Sequence, residues 1–288
     1  MLQSKKNTFL NTWNKFFVSH SKRESLDYLP QRSSDVFICS YERSGTTWMQ
    51  MILFQLFTDG DIDSVNHIED FSPNISGYNA EAIWKARLLM PYKVYKHHGY
   101  HHQFSKDRAG KYIYVMRNGM DVCLSLYHHY KAYGRWDTEK GLDEFFEFFL
   151  TRKDFNWFEH LKGWHTNEGE LDILVVKYED LSTRPDQILR RVANFCEIEL
   201  SEKKLERALE RSNFHYMKKH QEKFGMQPSN RGKRDVITYN QFIRKGEMYE
   251  GEEMLSEEQK IKYNEYLEKY QITDYAYKSN LQLDLIDG

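Results

Sequence analysis

Residues 35–57 read DVFICSYERSGTTWMQMILFQLF, and few folds accommodate such a segment. Asp35 to Ser40 form a short apolar run, the pattern of a strand buried on both faces. A turn of small residues, YERSGTT, follows, and then a helix begins at Trp48. A buried strand that runs through a tight turn into a helix N-terminus presents successive backbone N–H groups to whatever sits above it, and those groups attract anions. Arg43, Ser44, Gly45, Thr46 and Thr47 add a cation, two kinds of hydroxyl and a flexible hinge, so the loop reads as a phosphate cradle. A plainer role as the helix N-cap is open to Ser44 or Thr46. No Gly stands five residues ahead of a Gly-Lys-Ser/Thr, which disfavours a nucleoside triphosphatase with a magnesium-binding hydroxyl.

The rest of the chain repeats the alternation. KVYKHH (93–98), KYIYVMR (111–117) and the run at 172–178 read as further strands, with helices expected in GMDVCLSLYHHY and over 185–196. Strands alternating with helices imply an α/β fold: a single domain with a central, mainly parallel sheet flanked by helices and a P-loop-like strand, loop and helix. One domain is expected over 1–288. Its residues 1–34 form an N-terminal helix and lead-in, because Phe9, Leu10, Trp13, Phe16 and Phe17 recur at helical spacing. Residues 221–245 lack periodicity and read as a mobile lid loop. EEMLSEEQKIKYNEYLEKY near the C-terminus reads as one charged amphipathic helix.

Charge narrows the partners. With 41 Lys plus Arg against 43 Asp plus Glu, the net charge is −2, which argues against a nucleic-acid coat and requires any anion site to be local. The opening residues carry no continuous apolar stretch and no later segment approaches a membrane span, so a cytoplasmic protein without a membrane span is expected. Cys39, Cys123 and Cys196 are far apart in apolar surroundings and read as buried thiols without chemistry.

The octapeptide Tyr41-Glu42-Arg43-Ser44-Gly45-Thr46-Thr47-Trp48 resembles the signature that opens the cytosolic, small-molecule sulfotransferases. Four more motifs follow in that family's order. YVMRNGMDVCLS supplies Arg117 and, eight residues on, Ser125; then come Tyr178-Glu179-Asp180, Ser212-Asn213-Phe214 and Arg244-Lys245-Gly246. The resemblance implies 3′-phosphoadenosine 5′-phosphosulfate as donor, adenosine 3′,5′-bisphosphate as product, a small-molecule acceptor and no metal. It implies that the loop 43–47 holds the 5′-phosphosulfate, that Trp48, Tyr178 and Phe214 with Ser212 surround the adenine, and that Arg117, Ser125 and the closing triad Arg244, Lys245 and Gly246 bind the 3′-phosphate. A planar fork of donors suits a phosphate monoester, which agrees with arginine at 117 and 244.

Sulfuryl transfer needs a base for the acceptor proton, cations for the building charge and in-line alignment. Where this chain reads Lys96-His97-His98, the family carries Lys-Ser/Thr-His with the last residue as base. Strand alternation puts Lys96 and His98 on one face and His97 on the other, which favours His98, with His97 in reserve. Lys96 and Arg43 would stabilise charge on the transferring group and the leaving phosphate, and Ser125 could engage the same cation. His101, His102, His128 and His129 are expected to be structural, and a metal site among the histidines is the weaker reading.

Three departures from the family stand out. Arg43 replaces the usual Lys and Glu42 the usual Pro, and the Gly-Asp-Trp expected after Gly246 is missing. Glu42 is expected to pair with Arg43, or else to meet a cationic acceptor, which leans the acceptor toward a polar or cationic natural product. Asn118 and Asp121 have the spacing of a capping box. Monomer and homodimer both remain open. Two alternatives stand beside the sulfotransferase: an inactive adenosine-bisphosphate-binding module, and a small-molecule kinase with a divergent phosphate loop.

Overall fold

A computed structural model describes residues 32–58, 60–75, 93–104, 109–167, 171–225 and 242–274. The expected N-terminal helix and residues 226–241 of the expected lid lie outside the described residues. β1 (Val36–Cys39), β2 (Val94–His97), β3 (Lys111–Met116) and β4 (Asp172–Lys177) form one sheet in the order β2-β1-β3-β4. All three pairings are parallel, and Cys39 stands opposite His97 on one side and Tyr114 on the other. Asn74 extends the β2 edge, with Lys96 N–H donating to Pro73 O at 2.9 Å and Ile75 N–H to Lys96 O at 2.9 Å.

The period-two alternation of the strands divides the core. Phe37, Tyr95, Tyr112 and Tyr114 face one layer, where Phe37 stacks on Tyr95 at 5.1 Å and on Tyr112 at 5.0 Å between centroids. That layer is closed by α3 (Gly119–Ala132), α4 (Leu142–Thr151) and α5 (Trp157–Thr166). Val36, Ile38, Val94, Ile113 and Val115 face the other, against Met49, Ile52 and Leu53 of α1 (Thr46–Thr58) and Ile188 and Val192 of α7 (Pro185–Phe195). The short helices α2 (Ile68–Phe71) and α6 (Tyr178–Thr183), with α8 (Glu202–Ser212) and α9 (Phe214–Lys219), complete that side.

The C-terminal helix differs from expectation. It is two helices, α10 (Glu250–Met254) and α11 (Glu257–Tyr270). Ser256 Oγ accepts from Gln259 N–H while the Gln259 side chain returns to the Ser256 N–H, and this capping box starts a second helix inside the apolar periodicity. The α/β fold with its parallel sheet and strand, loop and helix at β1–α1 stands as expected.

Candidate active site

Parallel strands end together, and the loops at their C-terminal ends enclose a cavity of about 520 Å³. The β1–α1 loop forms its floor. Gly45 has φ +104°, and a Cβ there would lie 2.9 Å from the Tyr178 ring, so only glycine suits the turn. Arg43 is also left-handed, at φ 65°. Ser40 and Thr46 are joined by a short hydroxyl–hydroxyl hydrogen bond that fastens the strand end to the first turn of α1. Gly45, Thr46, Thr47 and Trp48 line the cavity, whereas Ser44 is buried and is not among the described lining residues.

Arg43 reaches two elements at once. Its Nε donates to Ser125 Oγ at 3.2 Å and its Nη2 to the Phe242 carbonyl at 3.1 Å, with the guanidinium 5.2 Å from the Phe242 ring centroid. Burial pushes its pKa down to about 10, which leaves it charged at neutral pH. Arg117 directly follows β3, lies 4.2 Å over the Tyr178 ring and donates through Nη2 to the Glu247 carbonyl at 2.8 Å. Its Nε is buried without a hydrogen bond among the described residues, which leaves it a donor to give. Arg244, Lys245 and Gly246 reach the same cavity from the far side, where Arg244 forks onto Glu250 and Lys245 Nζ lies 3.1 Å from Glu250 Oε1.

The expected capping box is only half present. Asn118 accepts from Met120 N–H at 2.9 Å, but its own N–H goes to Glu179 Oε1 at 2.9 Å instead of Asp121. The Asp121 carboxylate is taken by tertiary partners: it accepts from Tyr249 N–H at 2.9 Å and Gly251 N–H at 2.8 Å, and lies 3.3 Å from Arg117 Nη2. Asp121 therefore ties the Arg117 end of the cavity to the segment after Arg244.

The aromatic end holds Trp48, Tyr178 and Phe214. Trp48 and Tyr178 meet edge to face at 5.3 Å, and Trp48 Nε1 is buried without a hydrogen bond among the described residues. Ser212 lines the cavity with its hydroxyl donated to Ala208 O at 2.6 Å, and Phe214 packs against Gly246.

At the opposite end stand Lys96 and His98. β2 stays regular to His97, whose ring turns into the core 4.8 Å from Phe104, while Lys96 and His98 line the cavity. His98 Nδ1 lies 2.9 Å from the Ser40 carbonyl. A carbonyl can only accept, so Nδ1 carries the proton and the lone pair is on Nε2. Burial, then the Lys96 ammonium, holds the His98 pKa well below the ordinary imidazole value, which keeps the ring neutral. Lys96 in turn faces Glu69 at 3.5 Å.

A sulfotransferase domain model matches residues 33–276. The chain belongs to the sulfotransferase family. Rabbit amine sulfotransferase is 29% identical over 206 residues, 68% of this chain and 66% of that protein. Rabbit sulfotransferase 1C2 is 31% identical over 204 residues, 65% of this chain and 67% of that protein. The matched stretches thus span about two thirds of each relative's own length. Mouse sulfotransferase SULT7A1 complexed with PAP superposes with a TM-score of 0.69 at 21% identity, covering 90% of this chain and 93% of that one. Retinol dehydratase in complex with androsterone and inactive cofactor PAP gives 0.70 at 20% identity, covering 84% and 82%. At such identities the superpositions speak for the fold.

A sulfotransferase moves a sulfuryl group, and both of the superposed structures hold PAP. The residues of this cavity fit the 3′-phosphoadenosine 5′-phosphosulfate that the sequence resemblance implies, because the buried Arg117 Nε and Trp48 Nε1 have hydrogen atoms to give and the α1 N-terminus faces the same space. The sequence reading did not find several other lining residues. Glu69, Asn74, His129, Arg135 and Phe155 reach the cavity from three separate stretches of the chain, and none has a local spacing that marks it. His129, expected to be structural, packs on Tyr133 at 4.2 Å, and burial followed by Arg43 and Arg135 holds it neutral.

The expected pairing of Glu42 with Arg43 gives way to another arrangement. Glu42 Oε2 is buried 4.0 Å from Arg152 Nη1, without a hydrogen bond among the described residues. Arg43 is drawn away by Ser125 and Phe242, and Arg152 is held under the loop by Asp154 at 3.0 Å, Tyr130 at 3.2 Å and Tyr41 at 3.3 Å.

Proposed function

We propose that His98 is the general base of this sulfotransferase and that the acceptor is a small polar molecule carrying an amine or guanidinium. The observation that carries the first half is the 2.9 Å bond from His98 Nδ1 to the Ser40 carbonyl. It leaves Nε2 as the basic nitrogen, beside a lysine and inside the same cavity as Arg43 and Arg117. In the reaction the acceptor's O–H or N–H proton passes to Nε2 as the acceptor atom bonds to sulfur, and the bond from sulfur to the bridging phosphate oxygen breaks. Lys96 and Arg43 offset the charge that grows on the sulfuryl and leaving phosphate oxygens. Arg117, Ser125, Arg244 and Lys245 are the 3′-phosphate ligands in this reading, with Trp48, Tyr178 and Phe214 around the base.

For the acceptor, the support is electrostatic. Glu42 and Glu69 bring carboxylates to the catalytic end of the cavity, and one relative is named for amines. Cytoplasmic location belongs to the same reading, in keeping with free thiols at Cys39, Cys123 and Cys196.

Thermal shift with adenosine 3′,5′-bisphosphate, AMP and ATP tests the donor site, with selective stabilisation by the bisphosphate expected. His98→Ala should abolish transfer and keep that stabilisation. ATP binding as strong as bisphosphate binding favours a kinase, and bisphosphate binding without turnover of any acceptor favours the binding module. Glu42→Gln should slow turnover of a cationic acceptor relative to its neutral isostere; an unchanged ratio rejects the cationic acceptor.

A further inference from the structure

β2 ends at His97, whose carbonyl accepts from Ser40 N–H at 3.2 Å, and the ladder stops there. The next two carbonyls, of His98 and Gly99, turn toward α5. His160 on that helix is fully buried, and its Nε2 lies 3.2 Å from His98 O and 3.0 Å from Gly99 O. Trp164, one turn on, gives its Nε1–H to the same Gly99 oxygen at 3.1 Å. Both oxygens are acceptors only, so His160 carries its proton on Nε2, and Nδ1 then accepts from Tyr114 O–H at 3.0 Å. Tyr114 comes from β3 and stacks on Trp164 at 5.2 Å, so the proton arrangement is fixed from the sheet side as well. Burial pushes the His160 pKa down to about 3, and the ring stays neutral with one proton to give.

The main chain here has little slack. A Cβ at Gly99 would overlap the Gln103 amide and the His97 ring, so the turn beyond His98 is packed against its own neighbours. The His98 side chain is anchored to Ser40 O on one side, and its backbone to His160 on the other.

We propose that His160 is a positioning residue for sulfuryl transfer: by donating to the His98 and Gly99 carbonyls it fixes where the His98 ring stands relative to Lys96. The inference rests on the reading of His98 as the base. His160 is outside the described lining of the cavity, so its influence runs through the His98 backbone and not through contact with either substrate. A displacement of about 1 Å at a reacting group can lower a rate about 100-fold, which is the scale a lost clamp can reach.

The test uses the full chain and steady-state kinetics on whichever acceptor the wild type turns over. His160→Phe keeps a ring and removes the donor; its kcat should fall about 10- to 100-fold while the KM for the sulfuryl donor and the thermal shift with adenosine 3′,5′-bisphosphate hold. His160→Gln, which restores an N–H at the same reach, should recover most of the loss. The deciding comparison is His98→Ala against His98→Ala/His160→Phe: if His160 acts through His98, the two are equally slow. A kcat for folded His160→Phe within about twofold of wild type, or a further loss on top of His98→Ala, overturns the positioning role. If His98→Ala alone keeps wild-type kcat, the base reading fails and takes the positioning role with it. Should His160→Phe not fold, Trp164→Phe and Tyr114→Phe each remove one proton donor of the clamp and should lower kcat about threefold or more, and unchanged rates in both overturn the proposal.

Discussion

Arg244 is forked onto Glu250, with Nη1 2.8 Å from Oε1 and Nη2 in close contact with Oε2. Lys245 joins the same carboxylate. A carboxylate thus stands against the two cations assigned to the 3′-phosphate. The hydrogen bond from Arg244 is the largest reason why Glu250 is held at about 2, so it remains ionised through the working range. The pair is partly exposed and the interaction is correspondingly modest. Glu250→Gln should therefore tighten adenosine 3′,5′-bisphosphate by about threefold to tenfold and leave AMP unchanged, as read by titration calorimetry. Weaker bisphosphate binding would mean that Glu250 serves to hold Arg244 in place.

The neighbouring Gly251 makes a steric prediction. α10 crosses α3 so closely that a Cβ at 251 would overlap the Met120 carbonyl and the Asp121 nitrogen, all main-chain atoms that cannot turn aside. Gly251→Ala should lower stability by about 2 kcal/mol in urea unfolding, the scale of overpacking in a close contact. The same seam carries Asp121, which links Arg117 to the residues after Arg244. Bisphosphate affinity should fall with stability, and a loss of stability with full affinity would separate the seam from the phosphate site.

These relationships show where sequence reading succeeds and where it stops. The β1–α1 loop is legible because its anion-binding character is local: strand, turn and helix N-terminus are contiguous. His98 is separable from His97 because β2 keeps its pleat as far as His97, which turns His97 into the core and leaves Lys96 and His98 to the cavity. Glu42 is not legible, since its partner Arg152 is brought under the loop by α4, 110 positions away along the chain, and nothing near Glu42 encodes that. Asp121 has the right spacing for a capping box, but the backbone N–H groups of Tyr249 and Gly251 compete for its oxygens and take them. His160 shows no signal at all, because its function is to satisfy main-chain carbonyls, and those have no sequence.

Lys96 should be visible in the titration of His98. Burial is the larger cause of the depressed pKa and the Lys96 ammonium the next. Removing the cation removes a repulsion against the protonated ring, so Lys96→Met should raise the His98 pKa part of the way toward the ordinary value. The measurement is the ring-proton chemical shift against pH. In the wild type the acid limb of kcat should lie below the ordinary imidazole range of about 6.5, since the neutral base is needed and burial preserves it. A limb near 6.5 with no change in Lys96→Met would place the titrating group elsewhere.

Three histidines should make the fold sensitive to acid. His98, His129 and His160 are each held neutral chiefly by burial, with folded pKa values below the ordinary 6.5. Well above pH 6.5 neither the folded nor the unfolded chain holds a proton at these rings, and their contribution to the pH dependence fades to nil. As the pH falls below 6.5 the unfolded chain takes up protons that the folded chain refuses, so stability declines until each folded pKa is reached, about 3 for His160. Each ring contributes a slope of about 1.4 kcal/mol per pH unit. Urea midpoints should be flat from pH 8 to 7 and fall steadily between pH 6 and 4.5, and His160→Gln should make that fall shallower by one ring's share. An unchanged slope in His160→Gln would mean that His160 is protonated in the folded chain, and its Nδ1 would then donate to Tyr114 instead of accepting from it.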